Sequence, residues 1–307
     1  MDKHLLFIAG NDIDYFYDVE DFLGAGEAAI AKPADMKVGG CVLNTACVSA
    51  KLGSNAKVLD ILSLQDESSK RMVKNLNGFG VDASEIQYSK SARNGQCLIF
   101  RKDSEKCIYV IEAQRPYYEE TENIKELLNN SKYIYTLMHI LKISFKTTEI
   151  IKEAKKHGAM LIFDGESRYQ NDYERDYLLN LADGLFINKK AYKRLSEHCE
   201  EDPLKLMFNN DLKFAVISDG ANGSDLYLKD KIIHRDAVKV NAIDSTGAGD
   251  SLAGCFLHFL DKGYEYEKCF ELANFNGAYA CTSEGGTAGA ISEDQLFEFM
   301  KKTENKT

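Results

Sequence analysis

The feature that most constrains this chain is a rhythm of short apolar runs separated by longer amphipathic stretches. Leu5–Ala9, Val58–Leu62, Tyr133–Leu137, Leu161–Asp164, Leu185–Asn188 and Phe214–Ser218 are each a few residues long and almost continuously apolar. Segments with helical spacing lie between several of them: Glu67–Phe79, Ser144–His157 and Tyr173–Ala182. A strand apolar on both sides must be covered on both sides, and alternation with helices supplies that cover. The pattern predicts an α/β protein with a mainly parallel central sheet.

One segment leaves this rhythm. Residues 94–112, NGQCLIFRKDSEKCIYVIE, hold two strand-like runs around Lys102-Asp103-Ser104-Glu105, which predicts a β-hairpin inserted into the α/β frame. The polar and aromatic stretch Asp12–Phe22 offers another extended piece. Such an appendage could cover a pocket, and an ordinary hairpin on a sheet edge fits the pattern equally well.

Bulk properties narrow the partners. A formal net charge of -10 argues against a nucleic-acid or anionic-membrane surface. The N-terminus is too short in apolar residues for a secretory segment, and no run of about 18 apolar residues occurs. The eight cysteines are scattered without a CxxC pair, so buried reduced thiols and a cytoplasmic location are expected. The six histidines show no metal-binding spacing, and His198-Cys199-Glu200 reads as a polar surface cluster.

Residues 241–260, NAIDSTGAGDSLAGCFLHFL, carry the chemistry. Extended-looking segments within 232–243 lead into Gly247-Ala248-Gly249, after which Leu252, Cys255/Phe256 and Phe259/Leu260 recur at helical spacing and Gly263 marks the end. The first N–H groups of a helix lack internal partners and its dipole is positive there, so small residues at this point can cradle phosphate oxygens. Asp250 would repel a phosphate, but it makes sense as a base for a second substrate, taking the proton of an attacking hydroxyl. An acid that merely offsets the dipole fits the spacing as well. The GxxxxGK[ST] and GxGxxG patterns are absent, which disfavours a P-loop and an NAD-binding oxidoreductase.

Asp244-Ser245-Thr246-Gly247-Ala248-Gly249-Asp250 resembles the DTxGAGD signature of the ribokinase-like (phosphofructokinase-B type) carbohydrate kinases, and Val38-Gly39-Gly40 with Asn44, Ala46, Leu52 and Gly53 resembles their N-terminal Gly-Gly motif. The two stand in family order over nearly the whole chain. The resemblance implies a single ribokinase-like domain over 1–307: a three-layer αβα sandwich with a small β lid from segments near 12–37 and 90–115. It also implies transfer of phosphate from ATP, with Mg2+, to a hydroxymethyl group of a sugar or sugar-like molecule. Asp250 would be the base, and the amides of Gly247, Ala248 and Gly249 the anion hole. Asp12, Asp14, Gly39, Gly40 and Asn44 would contact the acceptor. Asn188, Ser218, Gly220, Gly223, Asn274 and Gly277 would lie along the nucleotide, although close helix packing explains the small residues near 277 equally well. Some relatives bind a monovalent cation, K+, near Asp244 and Thr246, and many pair as homodimers through their lids.

Departures from the family pattern matter. Ala191 stands where a metal-linked Glu is expected after Asn188, with Lys189 or Lys190 as substitutes to touch phosphate. Glu166 replaces an Asn between matching Asp164 and Arg168. Cys41 replaces a Lys frequent in ribose-specific relatives, and Glu112-Ala113-Gln114 replaces Gly-Ala-Asn. These weaken ribose as the acceptor and keep two alternatives open. One is a nucleoside kinase, with Tyr15, Phe16 and Tyr17 as stacking partners. The other is a catalytically weak ligand-binding protein on the same scaffold. Arg93 and Arg101 leave room for a phosphorylated sugar.

Overall fold

The computed structural model describes residues 3–10, 12–103, 105–165, 180–197 and 199–304. Its strands, in chain order, are β1 (His4–Ile8), β2 (Asp12–Asp18), β3 (Lys32–Gly39), β4 (Ala56–Leu59), β5 (Ile61–Ser63), β6 (Gln87–Ser89), β7 (Gly95–Lys102), β8 (Glu105–Ile111), β9 (Ser131–Leu137), β10 (Met160–Gly165), β11 (Gly184–Asn188), β12 (Phe214–Ser218), β13 (Ser224–Leu228) and β14 (Lys231–Arg235). The described helices are α1 (Cys41–Leu52), α2 (Glu67–Phe79), α3 (Glu122–Asn129), α4 (Met138–Ser144), α5 (Glu149–Lys156), α6 (Lys189–Glu197), α7 (Pro203–Asn209), α8 (Ala248–Asp261), α9 (Tyr266–Ala280) and α10 (Glu293–Glu304).

The apolar runs pair as expected. Among the described residues eight strands form one sheet in the order β14-β13-β12-β11-β10-β9-β1-β4. The six from β12 to β4 are parallel, and β13 and β14 add an antiparallel edge. From β1 the chain moves to β4 on one side and then to β9 and beyond on the other. That reversal opens a crevice at the carboxyl ends of β1 and β9, where sheets of this kind bind ligands.

The predicted hairpin is β7–β8, paired antiparallel from Gln96–Ile111 to Lys102–Glu105. It belongs to a separate four-stranded sheet, β3-β2-β7-β8, in which β2 runs parallel to β7 and antiparallel to β3. The polar stretch from Asp12 therefore does supply an extended piece.

Three expectations shift. The run Val58–Leu62 divides at buried Asp60 into β4 and β5, which pair in different sheets. The helix expected over 144–157 begins at Glu149; Phe145 leaves α4 in an extended conformation to pack its ring on Tyr118, 5.4 Å between centroids. Of the extended-looking segments within 232–243, residues 232–235 belong to β14, and the rest of the connection to α8 is irregular as it crosses back from the sheet edge. Most of Tyr173–Ala182, with Asn11, Glu166, Arg168 and His198, lies outside the described residues. Of the cysteines, Cys47, Cys255 and Cys269 are buried and the rest half-buried.

Helix α8 is fixed more rigidly than an amphipathic stripe requires: every residue from Ser251 to Leu260 is buried. Phe256 stacks on Phe214 of β12 at 4.8 Å and meets Phe186 of β11 edge-on at 5.3 Å, tying one face to the sheet. Gly254 lies against the backbone of α1 near Thr45, and Gly277 of α9 lies against the Ala248 carbonyl. Flanked by α1 and α9 and seated on the sheet, the amino end of α8 is held at the crevice.

Candidate active site

Gly247 caps α8 with φ 77°, a left-handed conformation that glycine adopts at little cost. A Cβ there would stand 2.1 Å from the Gly286 carbonyl oxygen, so the loop lies directly on the Gly285–Gly286 segment. Asp244 secures this arrangement. Its Oδ1 accepts from the Thr246 N–H and hydroxyl at 3.0 and 2.7 Å, and its Oδ2 accepts from the Gly285 N–H at 3.2 Å. Burial alone would raise the Asp244 carboxyl, but these hydrogen bonds outweigh it and hold it below the ordinary carboxylate range. The Ala248 N–H bonds the Ser245 carbonyl at 3.2 Å, so of the three expected anion-hole amides it is already engaged in a turn.

Asp250 is the third residue of α8 and faces a cleft of about 1550 Å³. The Asn44 side-chain amide donates to its Oδ2 at 2.8 Å. Asn44 is buried on α1, one turn past Gly40, and a Cβ on Gly286 would meet its amide at 2.5 Å. The structure thus brings the two glycine motifs together: one carries Asp250 and the other the residue that orients it.

The acceptor candidates share this cleft. Asp12, Asp14, Gly40 and Asn44 line it with Asp250. Asp14 is held over Gly39, where a Cβ would stand 2.5 Å from its Oδ2; a side chain at 39 would displace the carboxylate. Burial pushes the Asp14 carboxyl up, opposed by a hydrogen bond with Cys97 and by the charges of Lys106 and Lys37. Alternation along β2 places Phe16 on the cleft side, whereas Tyr17 stacks on Phe100 at 5.4 Å and Tyr15 packs against the core. Of the three aromatics proposed for stacking, the cleft receives Phe16. Lys37 and Arg101 stand 5.5 and 5.6 Å from its ring centroid.

The nucleotide candidates form a second group. Asn188 and Ser218 are register partners at the ends of β11 and β12, Ser218 pairs with Ser224, and the Ser224 hydroxyl donates to Asn274 Oδ1 at 2.6 Å. This line continues along α9 to Gly277 beneath the start of α8. Asn188 Oδ1 accepts from the Ala191 N–H at 2.9 Å and so caps α6, while Lys189 pairs with Asp219 at 2.5 Å. Gly220 and Gly223 turn the chain between β12 and β13, both with positive φ. Asp164, matched in the sequence, accepts from the Tyr135 hydroxyl at 2.7 Å.

Two contacts had no sequence signal. Lys106 of β8 donates to Thr246 Oγ1 at 3.0 Å, joining the four-stranded sheet to the glycine loop. Arg115 and Asp60, both buried, form an ion pair behind the cleft floor.

The chain is similar to known proteins along nearly its whole length. The nucleoside kinase of Methanocaldococcus jannaschii is 26% identical over 298 residues, covering 94% of each chain. A deoxyribokinase of Salmonella typhi is 23% identical, covering 97% of this chain and 98% of its own. The ribokinase of Arabidopsis thaliana, solved with ribose and ATP, superposes with a TM-score of 0.83 at 20% identity over 98% of this chain and 99% of its own. The model of the pfkB family carbohydrate kinases matches residues 3–293, and the chain belongs to that family.

Proposed function

We propose that this kinase transfers the terminal phosphoryl group of ATP to a hydroxymethyl group of a sugar or nucleoside, with Asp250 as the base. The observation that carries the reading is Asp250 at the amino end of α8, held by Asn44 and facing the cleft that Asp12 and Asp14 line. Asp12 and Asp14 bind acceptor hydroxyls and turn one toward Asp250. Its proton passes to the Asp250 carboxylate as the oxygen forms its bond to the γ-phosphorus; the bond to the bridging oxygen breaks and ADP departs. Charge that builds on the phosphoryl oxygens meets the amides of Gly247 and Gly249 and the positive end of α8. Little base strength is needed, because positioning dominates a loose transition state.

Magnesium would neutralise charge on the nucleotide's own phosphates. The protein side offers it little: Ala191 is fully buried where an acid would stand, Asn188 caps a helix, and among the described residues there is no cluster of three or more potential metal ligands. The ion would therefore enter with ATP, held chiefly by phosphate and water. The loop at Asp244 and Thr246 is the proposed K+ position, which activity in K+ against Na+ buffer would read.

A nucleoside acceptor is favoured over a bare sugar by the cleft side of the four-stranded sheet, where the apolar side chains of Phe16, Ile99, Ile108 and Val110 line the cleft. A polyol offers that surface nothing, whereas a base does. We place the protein in the cytoplasm; among the described residues no helix is long and apolar enough to cross a membrane. The four-stranded sheet would serve as the lid, and its outer face, with exposed Tyr109 beside Phe100, is the proposed homodimer surface. Gel filtration with light scattering tests the dimer.

An ADP-release assay over D-ribose, 2-deoxy-D-ribose, D-fructose, inosine and cytidine tests the activity. Asp250→Asn should lower kcat by about 10²–10⁴-fold while ATP binding persists. Near-normal turnover by that variant would overturn the assignment, and a wild-type protein inactive on every acceptor would favour the weak-binder alternative.

A further inference from the structure

The four-stranded sheet joins the body at four crossings, and one side chain ties two of them together. The first crossing leaves β1 through Ala9 and Gly10 to Asp12. The second returns from β3 through Gly39 and Gly40 into α1. Residues 90–94 make the third, and the chain after β8 makes the fourth. At the third crossing buried Asn94 is clasped by the body: its Nδ2 donates to Ser68 and Ser69 at 2.7 and 2.8 Å, and its Oδ1 accepts from the Ser63 N–H at 2.9 Å. The third and fourth crossings are locked side by side, because Arg93 and Gln114 exchange backbone hydrogen bonds of 2.7 and 2.9 Å.

Arg115 comes next, and instead of facing solvent its side chain is wholly buried. Nη1 donates to the Ala9 carbonyl at 2.6 Å and to Asp60 Oδ1, and Asp60 is itself only 1% exposed at the break between β4 and β5. Nη2 lies beneath Gly10, 3.6 Å from where a Cβ of that residue would stand. The Gly10 carbonyl in turn lies 3.1 Å from the position of a Cβ on Gly40. The guanidinium therefore reaches from the last crossing to the first, directly behind the residues that lead to Asp12 and Asp14. A buried ion pair adds little net stability over an apolar pair of the same volume, so its presence is better explained by the geometry it enforces. Tyr118, whose buried hydroxyl has no partner among the described residues, completes the polar cluster beside it.

We propose that Arg115, paired with Asp60, is a positioning residue that holds the base of the four-stranded sheet to the acceptor floor and so sets the placement of Asp12 and Asp14. It touches no substrate; it acts through Ala9 and Gly10. The proposal rests on the kinase reading above for its kinetic consequence, and its structural consequence stands without it.

The test uses the full-length protein and two variants. Arg115→Met with Asp60→Leu replaces the pair by apolar groups of similar size, which preserves packing without leaving a buried charge. Arg115→Lys keeps a positive charge beside Asp60 but loses the guanidinium Nη1 that bonds Ala9 and Asp60 together. Hydrogen exchange should accelerate at least tenfold at amides of β2 and β7 in both variants, with β9 to β12 and α8 unchanged. Should the double variant fail to fold, Arg115→Lys alone decides. Unchanged exchange in β2, or a uniform acceleration throughout the molecule, overturns the proposal. With the best acceptor of the panel, KM for the acceptor should rise at least tenfold while KM for ATP moves less than twofold. An inactive Asp250→Asn beside a kinetically normal Arg115→Lys would sink this inference and leave the base assignment standing. An active Asp250→Asn would do the reverse.

Discussion

At the scale of single residues, the site depends on what is missing as much as on what is present. Gly39 has no side chain because the Asp14 carboxylate occupies that direction, its oxygens 2.5 and 2.6 Å from an added Cβ. Gly39→Ala should therefore swing Asp14 out of place and raise the acceptor KM by about tenfold, the cost of one good hydrogen bond to a charged group, with KM for ATP unaltered. Steady-state kinetics with each substrate varied in turn would show it, and equal changes in both constants would contradict it. Asn44 gives a second case. The family resemblance assigns it to the acceptor, yet here its amide orients Asp250. Asn44→Ala should accordingly lower kcat more than it raises the acceptor KM, and the same kinetics separate the two roles.

Elements explain how much of this could be read in advance. The strands were legible because a two-sided burial requirement writes itself as an unbroken apolar run, as in Leu5–Ile8 and Phe214–Ile217, all buried. The turn at Gly247 and the placement of Asp250 in the first turn of a helix were legible because small residues followed by helical spacing stand consecutively in the sequence. Arg115 and Asp60 were not, since two charged residues 55 positions apart carry no periodicity and ordinarily signal surface. The break at Phe145 was hidden for a related reason: tertiary packing on Tyr118 overrides a helical period. Helix α8 shows two glycines of opposite meaning. An added Cβ on Gly254 would stand 2.7 Å from the Thr45 carbonyl oxygen, backbone that cannot turn aside, whereas one on Gly249 has nothing within 4 Å. Gly254→Ala should lose about 1–2 kcal/mol in urea unfolding, overpacking outweighing helix propensity. Gly249→Ala should gain up to about 1 kcal/mol and, on the proposed anion-hole reading, still lower kcat, because the methyl would stand where phosphoryl oxygens approach. A Gly249→Ala variant that is both more stable and fully active would remove that residue from the anion hole.

Across the whole molecule, acid should loosen the fold in two successive windows, and the first has a nameable origin. His4 opens β1 and is buried, its Nε2 3.1 Å from the hydroxyl of Ser131 at the start of β9. Burial, reinforced by the positive charge of Lys57 and opposed by the Leu127 carbonyl and Asp82, lowers its pKa to about 4. The folded protein thus keeps His4 neutral where an unfolded chain, with an ordinary value near 6.5, takes up a proton. Between pH 6.5 and 4 the unfolded state binds the extra proton, so stability is complete above pH 6.5 and falls with decreasing pH at up to 1.36 kcal/mol per unit. The gap of roughly 2.5 units corresponds to about 3 kcal/mol. Below that window Asp82 takes over. Although burial would raise it, hydrogen bonds from Lys57 and Ser84 bring it to about 2, so its contribution is full above 3.8 and lost as pH falls toward 2. Buried His258, lowered by burial against the pull of Glu293, acts in the same direction as His4, whereas exposed His234, raised by Asp225, acts in the opposite one. Comparison with a single variant removes these other groups. His4→Gln can keep a hydrogen bond to Ser131 without titrating, and its urea-unfolding free energy should decline less steeply than that of the parent protein from pH 6.5 to 4, the difference reaching about 3 kcal/mol at the acid end. Parallel curves would show that His4 titrates alike in both states and that the acid sensitivity originates elsewhere.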